Sequence, residues 1–421
     1  MGSRVRCFGG RLTGLFVLAA ALTALAAPSV ARADTVTEWN QNASTALFVT
    51  AGQPPQASVV HLAMVHGAIY DAVNAIDGGH DGYLLGPKSA QPSASIEAAA
   101  ATAAYRVLLN IVPGQQMTLE GWYAASLTPI PNGPAKTQGI AVGEAAAAAM
   151  IEARKNDGRF GPYRFPVGSE PGVWKPVLPA FVNDPAAWLK DVKPFVVRNP
   201  SRFKSRPPLR LKSSQYAREL DEVQSVGSLT STTRLPDQTH AARYWAENPP
   251  ATWSRVFRTL SAQEGLSLTE NARLYASLYM VAADALIMVW RGKAKHLFWR
   301  PITAIREADT DRNPATHADP NWLPLIATPP YPEQPSGHTG LSGSIVATLQ
   351  DFFGTDAIGW TDTNNAGLTR SFTTFSQAID EVVDARVWSG IHFRTADEEG
   401  ARIGRKIAKF RAQHYFEPVR R

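Results

Sequence analysis

The sequence predicts a mainly α fold, with its helices packed as one or two bundles. Two observations carry that expectation. Apolar residues recur at spacings of three and four from His61 to Ile76 and again from Leu268 to Trp290, which is the periodicity of a helix with a buried face. The stretches Ser95 to Val112 and Pro134 to Arg154 are rich in alanine and lack a strong strand signal. Alanine favours helix and lets neighbouring helices approach closely, so the N-terminal half reads as a tightly packed bundle rather than a sheet.

In chain order, residues 1–33 form a leader, with Arg4, Arg6 and Arg11 preceding an apolar run from Leu12 to Ala27 and a small-residue site at Ala31-Arg32-Ala33. This is the pattern of a signal peptide, and it predicts export, secreted or periplasmic. The apolar run is 16 residues, shorter than the roughly 20 a membrane span needs. Cleavage before Asp34 removes 33 of 421 residues, including four arginines and no acid, so the formal charge falls from +6 to +2. Basic residues run through the remainder without long blocks, which gives no special case for a nucleic-acid or membrane partner. The single cysteine, Cys7, is in the leader. Disulfides and thiol chemistry are thereby excluded from the mature chain, which rests on its apolar core.

Residues 34–157 are the N-terminal helical region. Residues 158–212 follow as a proline-rich segment whose aromatics, among them Phe160, Trp174 and Trp188, argue for an ordered loop rather than disorder. Residues 213–421 form a C-terminal helical bundle, with helices expected from Ser213, from Leu268 behind a Ser267 or Thr269 cap, from about His338 to Phe353, from Thr369 to Arg386, and from about Ala396 to His414. Asp309 to Asn313 begins like a calcium loop, but Pro314 and Pro320 occupy positions that need glycine and glutamate. His61 and His66 lack zinc-helix spacing and read as buried helix residues.

The chemistry concentrates in the last third. Lys293 and Arg300 are seven apart, close to two helical turns, though Pro301 disfavours helix at Arg300. Either geometry lets two long cations converge on one anion. Pro335-Ser336-Gly337-His338 opens a helix, with Ser336 as a natural N-cap, Gly337 permitting close backbone approach and His338 in the first turn as acid or base. Arg386 and His392 are six apart and out of register on one helix, but Ser389-Gly390 between them is a place for it to stop. Taken singly, each group describes an ordinary capped or basic helix end. Together they supply what a tetrahedral oxyanion needs: fixed cations, N–H groups at a helix start, and a neutral side chain able to attack or ligate the central atom.

The ordered set of Lys293, Arg300-Pro301, Pro335-Ser336-Gly337-His338, Arg386 and His392 resembles the vanadium-dependent haloperoxidases and the acid phosphatases of the type 2 phosphatidic acid phosphatase superfamily. Trp290 and the phrase WRPITAIREADTDRNPAT, from Trp299 to Thr316, look like the bacterial haloperoxidase branch. The resemblance implies vanadate as cofactor, with Lys293, Arg300 and Arg386 neutralising its equatorial oxygens beside Ser336 and the Gly337 N–H. It implies His392 as the axial ligand to vanadium and His338 as the acid-base residue, so that Lys293, His338 and His392 are the catalytic set. Hydrogen peroxide, a halide and a small organic acceptor would be the partners, and hypohalous acid the product.

The alternative is a soluble exported acid phosphatase in which His392 attacks phosphorus and His338 protonates the leaving alcohol. A non-catalytic phosphate-binding protein is a third reading. Two departures from the family pattern stand out. Ala385 precedes Arg386 where serine is common, and the acid following His392 is Asp397, five residues on rather than four, which leaves the acid that orients His392 unassigned. Tyr331 occupies the position of a second histidine found in algal bromoperoxidases, leaving halide preference open.

Overall fold

Most of the helices begin where the sequence supplies a cap or a proline. The computed structural model describes residues 1–2 and 34–419; apart from its first two residues, the leader lies outside the described residues. Helix α1 (Thr35–Ser44) starts at Asp34, whose carboxylate accepts from Val36 N at 2.7 Å and Thr37 N at 3.0 Å. Helix α2 (Pro55–Asp77) has proline at its first position and ends at Gly78 with φ 69°, the pairing of stiff entry and left-handed exit that frames many helices. Ser95 caps α3 (Ile96–Ile111); α4 (Gln116–Leu127) and α5 (Pro134–Ala153) complete the first group.

The alanine-rich helices lie as close as their composition allows. A Cβ on Gly143 of α5 would fall 2.5 Å from Ala99 O and 2.6 Å from Thr102 Cβ of α3, so the two helices meet backbone to side chain with no room for a larger residue.

The second group comprises α6 (Ser214–Val226), α7 (Pro236–Tyr244), α8 (Pro249–Gln263), α9 (Leu268–His296), α10 (Pro301–Arg306), α11 (Gly337–Phe353), α12 (Phe375–Trp388) and α13 (Arg394–Ala412). Ser267 and Glu270 form a reciprocal capping box at the start of α9. Both α2 and α9 are long and apolar enough to cross a membrane, and both are buried inside the bundle. Helices α2 and α9 pack together, as do α9 and α11, and α11 and α13. Asp284 on α9, an acid in an apolar run, accepts from the N–H groups of Phe195, Val196 and Val197 at 2.6 to 2.8 Å. The helix thereby anchors the proline-rich segment, whose Phe165, Trp174, Trp188 and Phe195 are buried in the main core.

One expectation is corrected. The helix expected from Thr369 starts at Phe375, and Thr369–Phe372 is instead a strand, β2, paired antiparallel with β1 (Trp360–Thr363). Gly367, at φ 76°, makes the turn between them. The hairpin tucks Trp360 and Phe372 into the core and leaves Thr361, Thr363 and Ser371 exposed, the alternation of a half-buried ribbon.

The apolar interior divides into a large cluster and a smaller one around Tyr216, Trp299, Ile302, Trp322 and Phe393. Arg300 and His392 adjoin members of the smaller cluster, while Trp290 and Leu341 of the larger flank Lys293 and His338. The polar residues of interest therefore occupy the seam between two cores.

Candidate active site

The backbone brings all three sequence segments to that seam. Helix α9 carries Lys293 in its last turn and ends at Leu297, a left-handed residue at φ 48° whose carbonyl accepts from Trp174 N at 2.7 Å. A non-glycine residue in this region costs about 1–2 kcal/mol, and here it turns the chain so that Arg300 becomes the N-cap of α10. Arg386 sits in the last turn of α12, Ser389 is the C-cap, and Gly390 at φ 77° redirects the chain to His392. A Cβ on Gly390 would strike Gly227 O and approach Pro324 Cβ to 2.9 Å, so glycine is required by both conformation and space.

Ser336 occupies the N-cap position of α11 without a capping bond from its side chain, contrary to the sequence expectation. Its hydroxyl is buried with no hydrogen-bond partner among the described residues. Gly337 lines the cavity and is also constrained by packing. A Cβ there would lie 3.0 Å from the Trp290 ring, so the indole packs flush against the helix start.

His392 is held on both nitrogens. Nδ1 is 2.8 Å from Glu333 Oε1, and the same oxygen accepts from Phe393 N at 2.9 Å. Arg300 Nη1 lies 3.1 Å from His392 Nε2, 2.8 Å from Ile391 O and 3.2 Å from Glu333 Oε2. Arg300 and Glu333 are both fully buried. With Glu333 ionised, its carboxylate only accepts, which places the proton on Nδ1 and the lone pair on Nε2. Burial, followed by the charges of Arg300, Lys293 and Arg386, holds His392 well below the ordinary histidine range. Burial pushes Glu333 up to about 7 against the pull of Arg300 and Lys293.

Glu333 is the acid that the sequence left unassigned, and it precedes His392 in the chain rather than following it. Asp397, the residue considered there, is buried and makes no hydrogen bond to His392. Burial pushes its carboxyl well above the usual range, with the Ser336 hydroxyl beside it as the first opposing influence. The available signal for Glu333 was local: a charged residue between prolines, Pro332-Glu333-Gln334-Pro335, immediately before the helix start.

Lys293 is fully buried, and its Nζ donates to Pro332 O at 2.6 Å and Glu333 O at 2.9 Å. Two of three donors therefore brace the turn that leads into Ser336, leaving one. Burial and the Arg300 charge hold this amine well below the ordinary lysine range. Arg386 is tied by Nη1 to Trp245 O at 2.8 Å. The edge of the Trp245 ring meets His338, with centroids 5.9 Å apart and planes at 80°, an orienting contact that no sequence motif announced. His338 is held well below the ordinary histidine range by burial and then by Arg386.

Four donor-capable atoms from the expected set are buried without a partner among the described residues: Arg300 Nη2, Arg386 Nε, Ser336 Oγ and His338 Nε2. Isolated buried polar groups are rare and costly. Four on one site, with the Nε2 side of a neutral imidazole, fit a tetrahedral oxyanion by the chemistry of the donor set. A cavity of about 320 Å³ is lined by Trp290, Tyr331, Gly337, His338, Leu341, Arg386 and His392 among others, with Arg300 and Ser336 set behind that wall.

Fold and site together define a helical-bundle chain with the fold of the vanadium haloperoxidases and a buried cluster of cationic and imidazole side chains. Residues 273–421 match the family model described as the VCPO second helical-bundle domain. A curated relative, the vanadium chloroperoxidase of Curvularia inaequalis, is 29% identical over 235 residues, covering 46% of this chain and 38% of that one. The chain thus spans less than two fifths of the length of that relative. Among solved structures, the first bacterial vanadium-dependent iodoperoxidase superposes with a TM-score of 0.78 at 23% identity, covering 91% of this chain and 98% of the other. A holo-type bacterial vanadium-dependent chloroperoxidase gives 0.70 at 18% identity, covering 89% and 96%.

Proposed function

We propose that this protein is a vanadate-dependent haloperoxidase that uses hydrogen peroxide to oxidise halide to hypohalous acid, which then halogenates a small organic acceptor. The observation that carries the reading is the four unpartnered donors around a buried histidine whose Nδ1–H is held by Glu333, in a fold shared along nearly its whole length with a bacterial vanadium iodoperoxidase. The leader sequence supports export as its setting.

Bound vanadate would supply a Lewis-acid centre that polarises peroxide without changing its own oxidation state. Every other part is the work of the chain. Arg300, Arg386 and Ser336 offset the charge of the oxyanion, and Lys293 has one N–H left to add. His392 would offer the Nε2 lone pair to the central atom in place of its present contact with Arg300 Nη1 at 3.1 Å, and Glu333 keeps that nitrogen unprotonated by holding the proton on Nδ1. His338, neutral because it is buried beside Arg386, takes or returns a proton at Nε2. Trp290 and Tyr331 form the apolar side of the cavity and limit water at the cradle.

The test is paired. Peroxide-dependent bromination is measured on the mature protein with and without vanadate, and hydrolysis of an aryl phosphate is measured after vanadate removal. Bromination that requires vanadate supports the reading. Brisk phosphatase activity, with no vanadate-dependent halogenation under any halide or pH, replaces it with the acid phosphatase alternative.

A further inference from the structure

Gln56, in the first turn of α2, lines the same cavity as His338 and His392 and is only 5% exposed. Its Nε2 stands 3.4 Å from Asp184 Oδ2. That oxygen also accepts from Trp290 Nε1 at 3.0 Å, while Asp184 Oδ1 accepts from Ala186 N at 2.8 Å. An ionised carboxylate accepts and never donates, so Asp184 determines which end of the glutamine amide faces it. The nitrogen turns toward Asp184 and the oxygen turns away. Burial raises the Asp184 carboxyl, with its three donors and Lys293 acting against the rise.

Gln56 Oε1 is consequently left buried without a donor among the described residues. Asn248, immediately before α8, lines the same cavity, and its Oδ1 is also buried and unpartnered. Both are acceptors. Much of the remaining wall is apolar, with Leu286, Trp290, Leu341 and Pro249 among its residues, and its volume of about 320 Å³ lies at the small end of ligand sites. A site with unsatisfied acceptors inside an apolar cavity discriminates in favour of a ligand that brings the missing donor.

We propose that Gln56 Oε1, with Asn248 Oδ1, is the recognition point for the organic acceptor, and that the acceptor class is a small arene or enol bearing an O–H or N–H donor, with Asp184 as the positioning residue that sets the amide. This rests on the haloperoxidase reading only in calling the ligand an acceptor of halogen. The proline-rich segment, through Asp184, thereby reaches the cavity wall.

The probes are phenol and its methyl ether anisole, similar in shape and differing in the donor. Binding to the full mature chain is measured by calorimetry or saturation-transfer NMR, with no peroxide present. Phenol is expected to bind about tenfold tighter than anisole, the worth of one neutral hydrogen bond. Gln56→Met keeps the side-chain length and removes the acceptor, so most of the preference is lost while anisole affinity changes little. Asp184→Asn lets the glutamine amide present either end and reduces the preference as well. If Gln56→Met does not fold, Asn248→Ala at the rim carries the same test. Equal affinity for phenol and anisole in the wild type, or a preference that survives Gln56→Met, overturns the proposal. Loss of the haloperoxidase reading shows separately, as absent bromination with the phenol preference intact.

Discussion

Glu333 Oε1 and His392 Nδ1 are 2.8 Å apart, and this bond decides which nitrogen of the imidazole, Nε2 beside Arg300, is turned to meet an oxyanion. Glu333→Gln keeps an acceptor for His392 but turns an amide toward Arg300. Vanadate affinity, measured by equilibrium dialysis, is expected to fall about 10- to 100-fold, as for other groups that orient a ligating histidine. Glu333→Ala leaves Arg300 buried without its carboxylate, and urea unfolding should show a loss of about 3–5 kcal/mol. Unchanged vanadate affinity in Glu333→Gln would contradict the orienting role.

The two histidines should separate binding from turnover. His392→Ala removes the lone pair offered to the central atom, and tightly bound vanadate is lost. His338→Ala keeps Arg300, Arg386 and Ser336 in place, so vanadate is retained while bromination falls by about 10²- to 10⁴-fold, the usual worth of a positioned acid-base group. Two variants that both halogenate normally would show that the site is wrongly assigned.

Lys293 braces the turn before Ser336 as well as supplying charge. Lys293→Met keeps the apolar stem but leaves the carbonyls of Pro332 and Glu333 without their buried donor. Amide exchange across residues 333–337 is expected to accelerate and vanadate affinity to drop together. A loss of affinity with exchange unchanged would limit the lysine to an electrostatic role.

Much of this was legible in the chain. The recurrence of apolar residues and the alanine-rich stretches marked most helices because their burial is periodic. The segments from Lys293 to His392 were recognisable because each functional side chain sits at a helix end, where capping and breaking residues leave a local trace. Glu333 was missed because the acid was sought after His392, whereas the contact spans 59 positions and is made by a loop with no periodicity. The β2 strand was missed because four residues beside a turn carry too little pattern to outweigh an adjoining helix. Asp184 and Gln56 meet across 128 positions, and only tertiary packing could join them.

Helices α11 and α13 touch through glycine. A Cβ on Gly400 would strike Thr339 Oγ1 and Ser336 O, and one on Gly343 would lie 2.9 Å from Ala401 Cα. Gly400→Ala is expected to cost about 1–3 kcal/mol by overpacking and, because it pushes on Ser336, to weaken vanadate binding. Thermal melting and dialysis on one sample check both, and an Ala variant with wild-type values for each would refute the contact.

Acid sensitivity should be traceable to His66. Buried beside Asn40 and Tyr279, it is lowered by burial and then Arg258 to about 3, against an ordinary 6.5. Its contribution to stability is complete above pH 6.5 and is lost as pH falls toward 3, because the unfolded chain takes up the proton first. Asp71 and Asp284, raised to about 6 by burial, act with the opposite sign, so the informative quantity is wild type minus His66→Gln. Between pH 6 and 4.5 that difference should shrink by about 1.4 kcal/mol per unit, read from urea unfolding. A pH-independent difference would mean that His66 is not held neutral.

Helix α9 carries Asp284, Trp290 and Lys293 within little more than two turns: the foot of the proline-rich segment, the cavity wall, and the brace of the oxyanion turn. Adding or deleting one residue between Asp284 and Lys293 would rotate one end against the other by about 100° and shift it by about 1.5 Å. No compensating side chain could recover all three attachments. This stretch is a gauge in which length and composition are fixed together, because every residue from Ala285 to Trp290 is buried and only Arg291 is partly exposed before Lys293.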